Sequence, residues 1–170
     1  ASYASDPDIT GMALTALYPY SNQVAVAAAC SKAFDCLSAM QHDNGSFASG
    51  GSECSESCAW VIVASTTLGI NPDTDSRFIK NDNSVVDGLL AHYLPDSATF
   101  QHIIGAGSNA MATDQSCYAL VAYDRFINGN LCIYIPNISC RSGYDSFLWC
   151  ILCSSYAFFR IPDKNVRSWI

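Results

Sequence analysis

The sequence predicts an all-α fold in which buried and surface helices alternate. Three segments of one design carry that prediction: residues 8–17, residues 53–64 and residues 111–122. Each opens with acidic or hydroxyl residues able to cap a helix N-terminus and continues with small and apolar residues on nearly all faces. A helix that is apolar all round belongs inside a protein. Between these segments lie two amphipathic stretches, roughly residues 22–40 and 84–93, with Lys32, Asp35, Asp87 and His92 available to solvent. The spacing of about fifty residues from one buried segment to the next fits a repeat of helical hairpins.

Taken in order, the first buried helix begins around Thr10, and the amphipathic helix after it runs into a corner made of Gln41, Asn44, Gly45 and Phe47. Here the Gln amide and the aromatic ring are expected to fasten the corner to neighbouring helices. The second buried helix, 53–64, ends before Asn71-Pro72-Asp73-Thr74-Asp75, a turn in which Pro bars helix continuation and Asn and Asp make side-chain turns. The second surface helix leads into residues 95–102, which place Phe100 where the first corner has Phe47 but have lost the Gly. The third buried helix follows. These elements make residues 1–126 one repeat region. In residues 127–170 neither helical periodicity nor the repeat is legible, basic residues outnumber acidic ones, and four of the nine cysteines are found. This segment is either an outer helix with an irregular cover or a foreign C-terminus.

With 170 residues, half of them hydrophobic, the chain is of single-domain size and able to bury one core. A net charge of −7 without any Lys/Arg cluster excludes nucleic acid and anionic membrane surfaces as partners. The longest apolar run, around 147–159, is interrupted by Ser154 and Ser155 and is too short to span a bilayer. A start at Ala1, without Met, is what a processed protein or an excised fragment presents.

Nine cysteines at irregular spacings do not form the even set of a disulfide framework, and several fall on apolar helix faces, so most read as small buried hydrophobes. Cys150 and Cys153 make one CxxC without a second ligand pair, and the acidic stretch 73–82 lacks the spacing of a calcium loop. No metal site and no cofactor are therefore assigned. Of the two sequons, at Asn44 and Asn137, the first is explained by turn chemistry alone.

The run from Lys32 to Phe47, an amphipathic helix followed by Gln, a polar turn, Gly and an aromatic, resembles the QW-type repeat of the terpene cyclase and protein prenyltransferase superfamily. The likeness spans about residues 6–126 and is nearest to secreted bacterial proteins with prenyltransferase and squalene-oxidase-type repeats. It implies an α/α toroid of inner and outer helices; three inner helices make about half of a closed ring. Further sequence, a second copy of the chain, or residues 127–170 would supply the rest. Asp6-Pro7-Asp8-Ile9-Thr10-Gly11-Met12-Ala13 is similar to the acid motif of class II terpene cyclases, and places their proton donor on Asp8, but Ile9 stands where the motif has a second Asp. Prenyltransferases hold zinc with Asp, Cys and His, and none of His42, His92 and His102 sits in a recognisable ligand context on an inner helix. Thioester, phosphate-loop and nucleophile-elbow motifs are absent.

What remains is a binding site. Thr10, Glu56, Ser57, Thr113, Asp114 and Gln115 stand at equivalent places at the starts of the three buried helices, with Trp60, Met111 and Tyr118 within a turn. Polar groups converging beside aromatics suit a small-molecule pocket. The expectation is thus a non-catalytic ligand-binding or interaction module, secreted or at a cell surface. Its expected partner is a small molecule, the remainder of a larger toroid, or a second copy of the chain. The alternative is an isoprenoid cyclase using Asp8.

Overall fold

The computed structural model describes residues 5–130. The chain is mainly helical: α1 (Pro7–Leu17), α2 (Val24–Met40), α3 (Ser55–Thr67), α4 (Val85–Leu90) and α5 (Ala110–Ile127), joined by short hairpins and turns. The C-terminal segment expected to depart from the repeat, with Cys150 and Cys153, lies outside the described residues apart from its first few positions.

Helix α3 is the centre of the core. Every residue in it except Trp60 is buried, because α1 and α5 pack along its sides and α4 covers it. Its many Ser, Thr, Cys and Ala side chains let those neighbours come close. At Gly11 of α1 the approach is close enough that a Cβ would stand 2.7 Å from the Trp60 carbonyl oxygen. The hydroxyls that this helix buries are satisfied locally: Ser65 Oγ donates to Val61 O at 2.7 Å and Thr66 Oγ1 to Ile62 O at 2.9 Å.

The other two helices expected to be buried on all sides are not. α1 buries Pro7, Gly11, Leu14 and Thr15, whereas Ile9, Met12, Ala13 and Ala16 are exposed. α5 buries one stripe, Ala112, Ser116, Ala119, Ala122 and Tyr123, leaving Val121 half-buried. α5 packs chiefly against α3, and α1 against α3 and α2, which leaves the remaining faces of both uncovered among the described residues. On α2, Lys32 and Asp35 face solvent as expected. α4 stops at Leu90, earlier than the pattern suggested, and Asp87 is half-buried because it closes a capping box with Ser84. His92, expected at the surface, is fully buried.

The corner after α2 is built as its sequence suggested. Phe47 is fully buried, and Gln41 Nε2 donates to Gly45 O at 3.2 Å and to Phe78 O at 3.0 Å. Gly45 has a positive φ of 82° and lies against Ser84 and Gly88, so no side chain fits there. The second corner repeats this backbone. Ala98, at φ 51°, takes the place of Gly45, two residues before Phe100. After each Phe the chain makes a short antiparallel excursion, Ala48 to Glu53 in one and Gln101 to Ser108 in the other. It then closes with the same hydrogen bond: Cys54 N to Phe47 O (3.2 Å) and Asn109 N to Phe100 O (2.9 Å).

Candidate functional site

The two corners deliver their side chains to the first turn of α3. Ser55 N donates to His102 O at 3.2 Å, which ties the loop before α5 to that turn. His102 Nδ1 lies 2.8 Å from Glu56 Oε2, and Ser55 Oγ donates to the same oxygen at 3.1 Å. Glu56 is only 4% exposed, yet its other oxygen, Oε1, is buried without a hydrogen-bond partner. Beside it, Cys54 Sγ is 3.1 Å from Ser57 Oγ, which donates to Asp8 Oδ1 at 2.5 Å. Cys54, Glu56 and His102 each offer a ligand atom, and these atoms all lie within 4.8 Å of one another.

Cys54 occupies the N-cap of α3 with extended backbone, but its side chain makes no capping bond. α1 and α5 behave differently, since Asp6 accepts from Asp8 N and Ile9 N and Asn109 accepts from Ala112 N, whereas Gln23 at the start of α2 makes no side-chain capping bond either. The sulfur instead meets Ser57 Oγ in the first turn of its own helix and lies near Glu56 and His102. Burial raises the pKa of Asp8, reinforced by the charges of Asp6 and Glu56 and opposed by the hydrogen bond from Ser57. Glu53, next in the chain, is held down to about 2, chiefly by His42 Nδ1 at 2.5 Å and then by Asn44. Burial pushes the Cys58 thiol up to about 12, which leaves it an inert core group. His92 has neither ring nitrogen partnered. Burial lowers its pKa, opposed by the backbone of Gln101 and by the pull of Glu56 and Glu53.

Of the residues read from the sequence, Glu56 and Ser57 meet here together with Asp8. Trp60, Gln115 and Tyr118 form a second group along the same helix: Trp60 Nε1 donates to Gln115 Oε1 at 2.9 Å, and the Trp60 and Tyr118 rings are 6.4 Å apart at 53°. Thr113 is engaged with backbone, receiving Phe100 N at 2.9 Å and donating to Asn109 O at 2.7 Å. Asp114 and Met111 are exposed, and Thr10 is half-buried. His102 is on no helix, and the second corner carries it to Glu56. It was missed as a site residue, and so was Cys54. The signal available was Cys-x-Glu at a helix start, but its histidine stands 46 residues from Glu56, a separation with no fixed motif.

A separate cleft of ≈ 380 Å³ at the other end of α3 is lined by Tyr18, Cys30, Phe34, Leu68, Ile70 and Arg77. Its charge is already paired, since Arg77 Nη2 binds Asp75 Oδ2 at 2.9 Å and lies over the Phe34 ring. No helix among the described residues is long and apolar enough to cross a membrane. No family model, curated protein or solved structure matches this chain.

Proposed function

We propose that this chain is a non-catalytic, extracellular ligand-binding module on a partial α/α toroid, and that it takes a cationic ligand at the N-terminal end of α3. The observation that carries the reading is Glu56, a buried carboxylate with one oxygen unpartnered amid Asp8, Ser57, Cys54 and His102. An ionisable group buried with spare hydrogen-bonding capacity is costly to the fold and marks a site where something else binds. His102, whose side chain is 43% exposed, leaves a way in from solvent.

The repeated corner, the packing of α3 against both α1 and α5, and the packing of α2 on α1 and of α4 on α3 support the toroid reading. The exposed apolar stripe of Ile9, Met12, Ala13 and Ala16 on α1 supports further repeats or a second copy as its neighbour. Secretion and a bacterial source rest on the resemblance of the Lys32 to Phe47 repeat. The cyclase alternative is weaker: a raised pKa makes Asp8 a poorer acid, whereas protonating an alkene demands a stronger one, and Ile9 beside it is exposed.

The test uses Trp60 emission in the full chain carrying Trp149→Phe and Trp169→Phe, titrated with guanidinium, tetramethylammonium and zinc as cations and with acetate and phosphate as anions. The reading predicts that at least one cation shifts the emission, that the anions do not, and that Glu56→Gln abolishes the response. If no cation produces a Glu56-dependent response, the reading falls.

A further inference from the structure

Resting on that reading, we infer that the ligand of this site is a borderline-soft divalent metal ion, zinc by its chemistry, held by Cys54 Sγ, a carboxylate oxygen of Glu56 and a ring nitrogen of His102. The donor set selects the metal class. Thiolate, imidazole and carboxylate together suit zinc, whereas calcium and magnesium take oxygen alone. The distances are compatible with this. Ligand atoms around a tetrahedral zinc stand roughly 3.3–3.6 Å apart, given metal–ligand bonds of about 2.0–2.3 Å. Donor atoms already within 4.8 Å of one another reach that spacing by small side-chain rotations.

Three further features point to the same occupant. Glu56 Oε1 is buried and has no partner in the protein. Cys54 Sγ is buried at the start of α3 near Glu56 and His102, with Ser57 Oγ at 3.1 Å. Ser55 Oγ holds Glu56 Oε2 in place, as an outer hydrogen bond to a ligating carboxylate does. Three protein ligands leave a fourth position for water or a bound group, reached past the half-exposed His102. On binding, the Cys54 S–H bond breaks, the sulfur lone pair goes to the metal, and the proton leaves to solvent.

The experiment is titration of the reduced full-length chain with zinc, and with cobalt(II) as a spectroscopic probe. The inference predicts one site of high affinity that gives a thiolate-to-cobalt charge-transfer band, with uptake of about one metal releasing about one proton from a thiol. Cys54→Ser should remove the band. His102→Gln, with folding checked by circular dichroism, should weaken zinc by more than the roughly 10–100-fold that loss of an outer-shell partner costs. Calcium should not compete. Binding that survives both substitutions but is lost in Cys150→Ser/Cys153→Ser would place the metal elsewhere and overturn the inference. If zinc does not bind while guanidinium or tetramethylammonium still shifts Trp60 in a Glu56-dependent way, the metal is wrong and the binding module stands. If nothing binds, both fail.

Discussion

Helices α3 and α5 both begin one residue after a cap whose backbone N–H donates to the phenylalanine of the preceding corner, Cys54 to Phe47 and Asn109 to Phe100. The side chains at those caps then diverge. Asn109 turns back and accepts from Ala112 N at 3.0 Å, the bond that completes a helix start. Cys54 leaves its helix uncapped and faces Ser57, Glu56 and His102. The corners differ in the same sense. Below the first, Gln41 spends its amide on Gly45 O and Phe78 O; at the second, the ring nitrogens of His92 have no partner. One backbone plan is thus used twice. Gln41 Oε1 at the first corner and Ser116 Oγ in α5 are also buried without a partner, but the atom left so at the first turn of α3 is a carboxylate oxygen, Glu56 Oε1. An ionisable group buried with an oxygen unpartnered is costlier to the fold than a neutral one, and that difference singles out the candidate site.

The largest expected effect tests the shared plan. Phe47→Ala, in a fully buried corner position, should lower unfolding free energy by about 3–5 kcal/mol in denaturant titration. A loss under about 1 kcal/mol would show that the corner does not anchor the helices as described.

The next concerns His92. Its pKa is lowered from the ordinary 6.5 by burial, against the backbone of Gln101 and the attraction of Glu56 and Glu53. The unfolded chain therefore binds a proton that the native state refuses as pH falls below 6.5. Stability should drop over that range by at most about 1.4 kcal/mol per pH unit from this residue. His92→Leu should flatten the pH dependence between 6.5 and 5. An unchanged slope would mean that His92 finds a proton partner in the folded protein.

The smallest effect separates the two caps. Asn109→Ala should cost about 1 kcal/mol, within the usual 0.5–2 range, as measured by thermal and denaturant unfolding. Cys54→Ala, which removes no capping bond, should cost the cap nothing. Equal losses at the two positions would erase the distinction on which the site rests.

The elements that local chemistry dictates were legible in the sequence. The corner of Gln41, Gly45 and Phe47 could be read because a positive φ, a buried ring and a fastening amide each demand a particular residue type. Ala98 at the second corner shows the limit of such reading: the Gly is lost but the left-handed backbone is kept, because Phe100 and the flanking hairpin still impose it. The expectation that α1 is buried all round failed at Ile9, Met12 and Ala13, since burial depends on neighbours that composition does not reveal. Of the residues of the candidate site, Glu56 and Ser57 were read from their place at a helix start. His102 was not, because only the second corner's fold carries it across to α3.

The account's central claim is that Cys54 gives up a capping bond to serve a site. The most direct measurement compares the melting temperature of the natural chain with that of Cys54→Asn, each with and without zinc. The account predicts that Cys54→Asn is the more stable without metal, by up to about 1 kcal/mol from the restored cap. It also predicts that zinc raises the melting temperature of the natural chain and leaves the variant where it was. A variant no more stable than the natural chain, with zinc raising both alike, would contradict it.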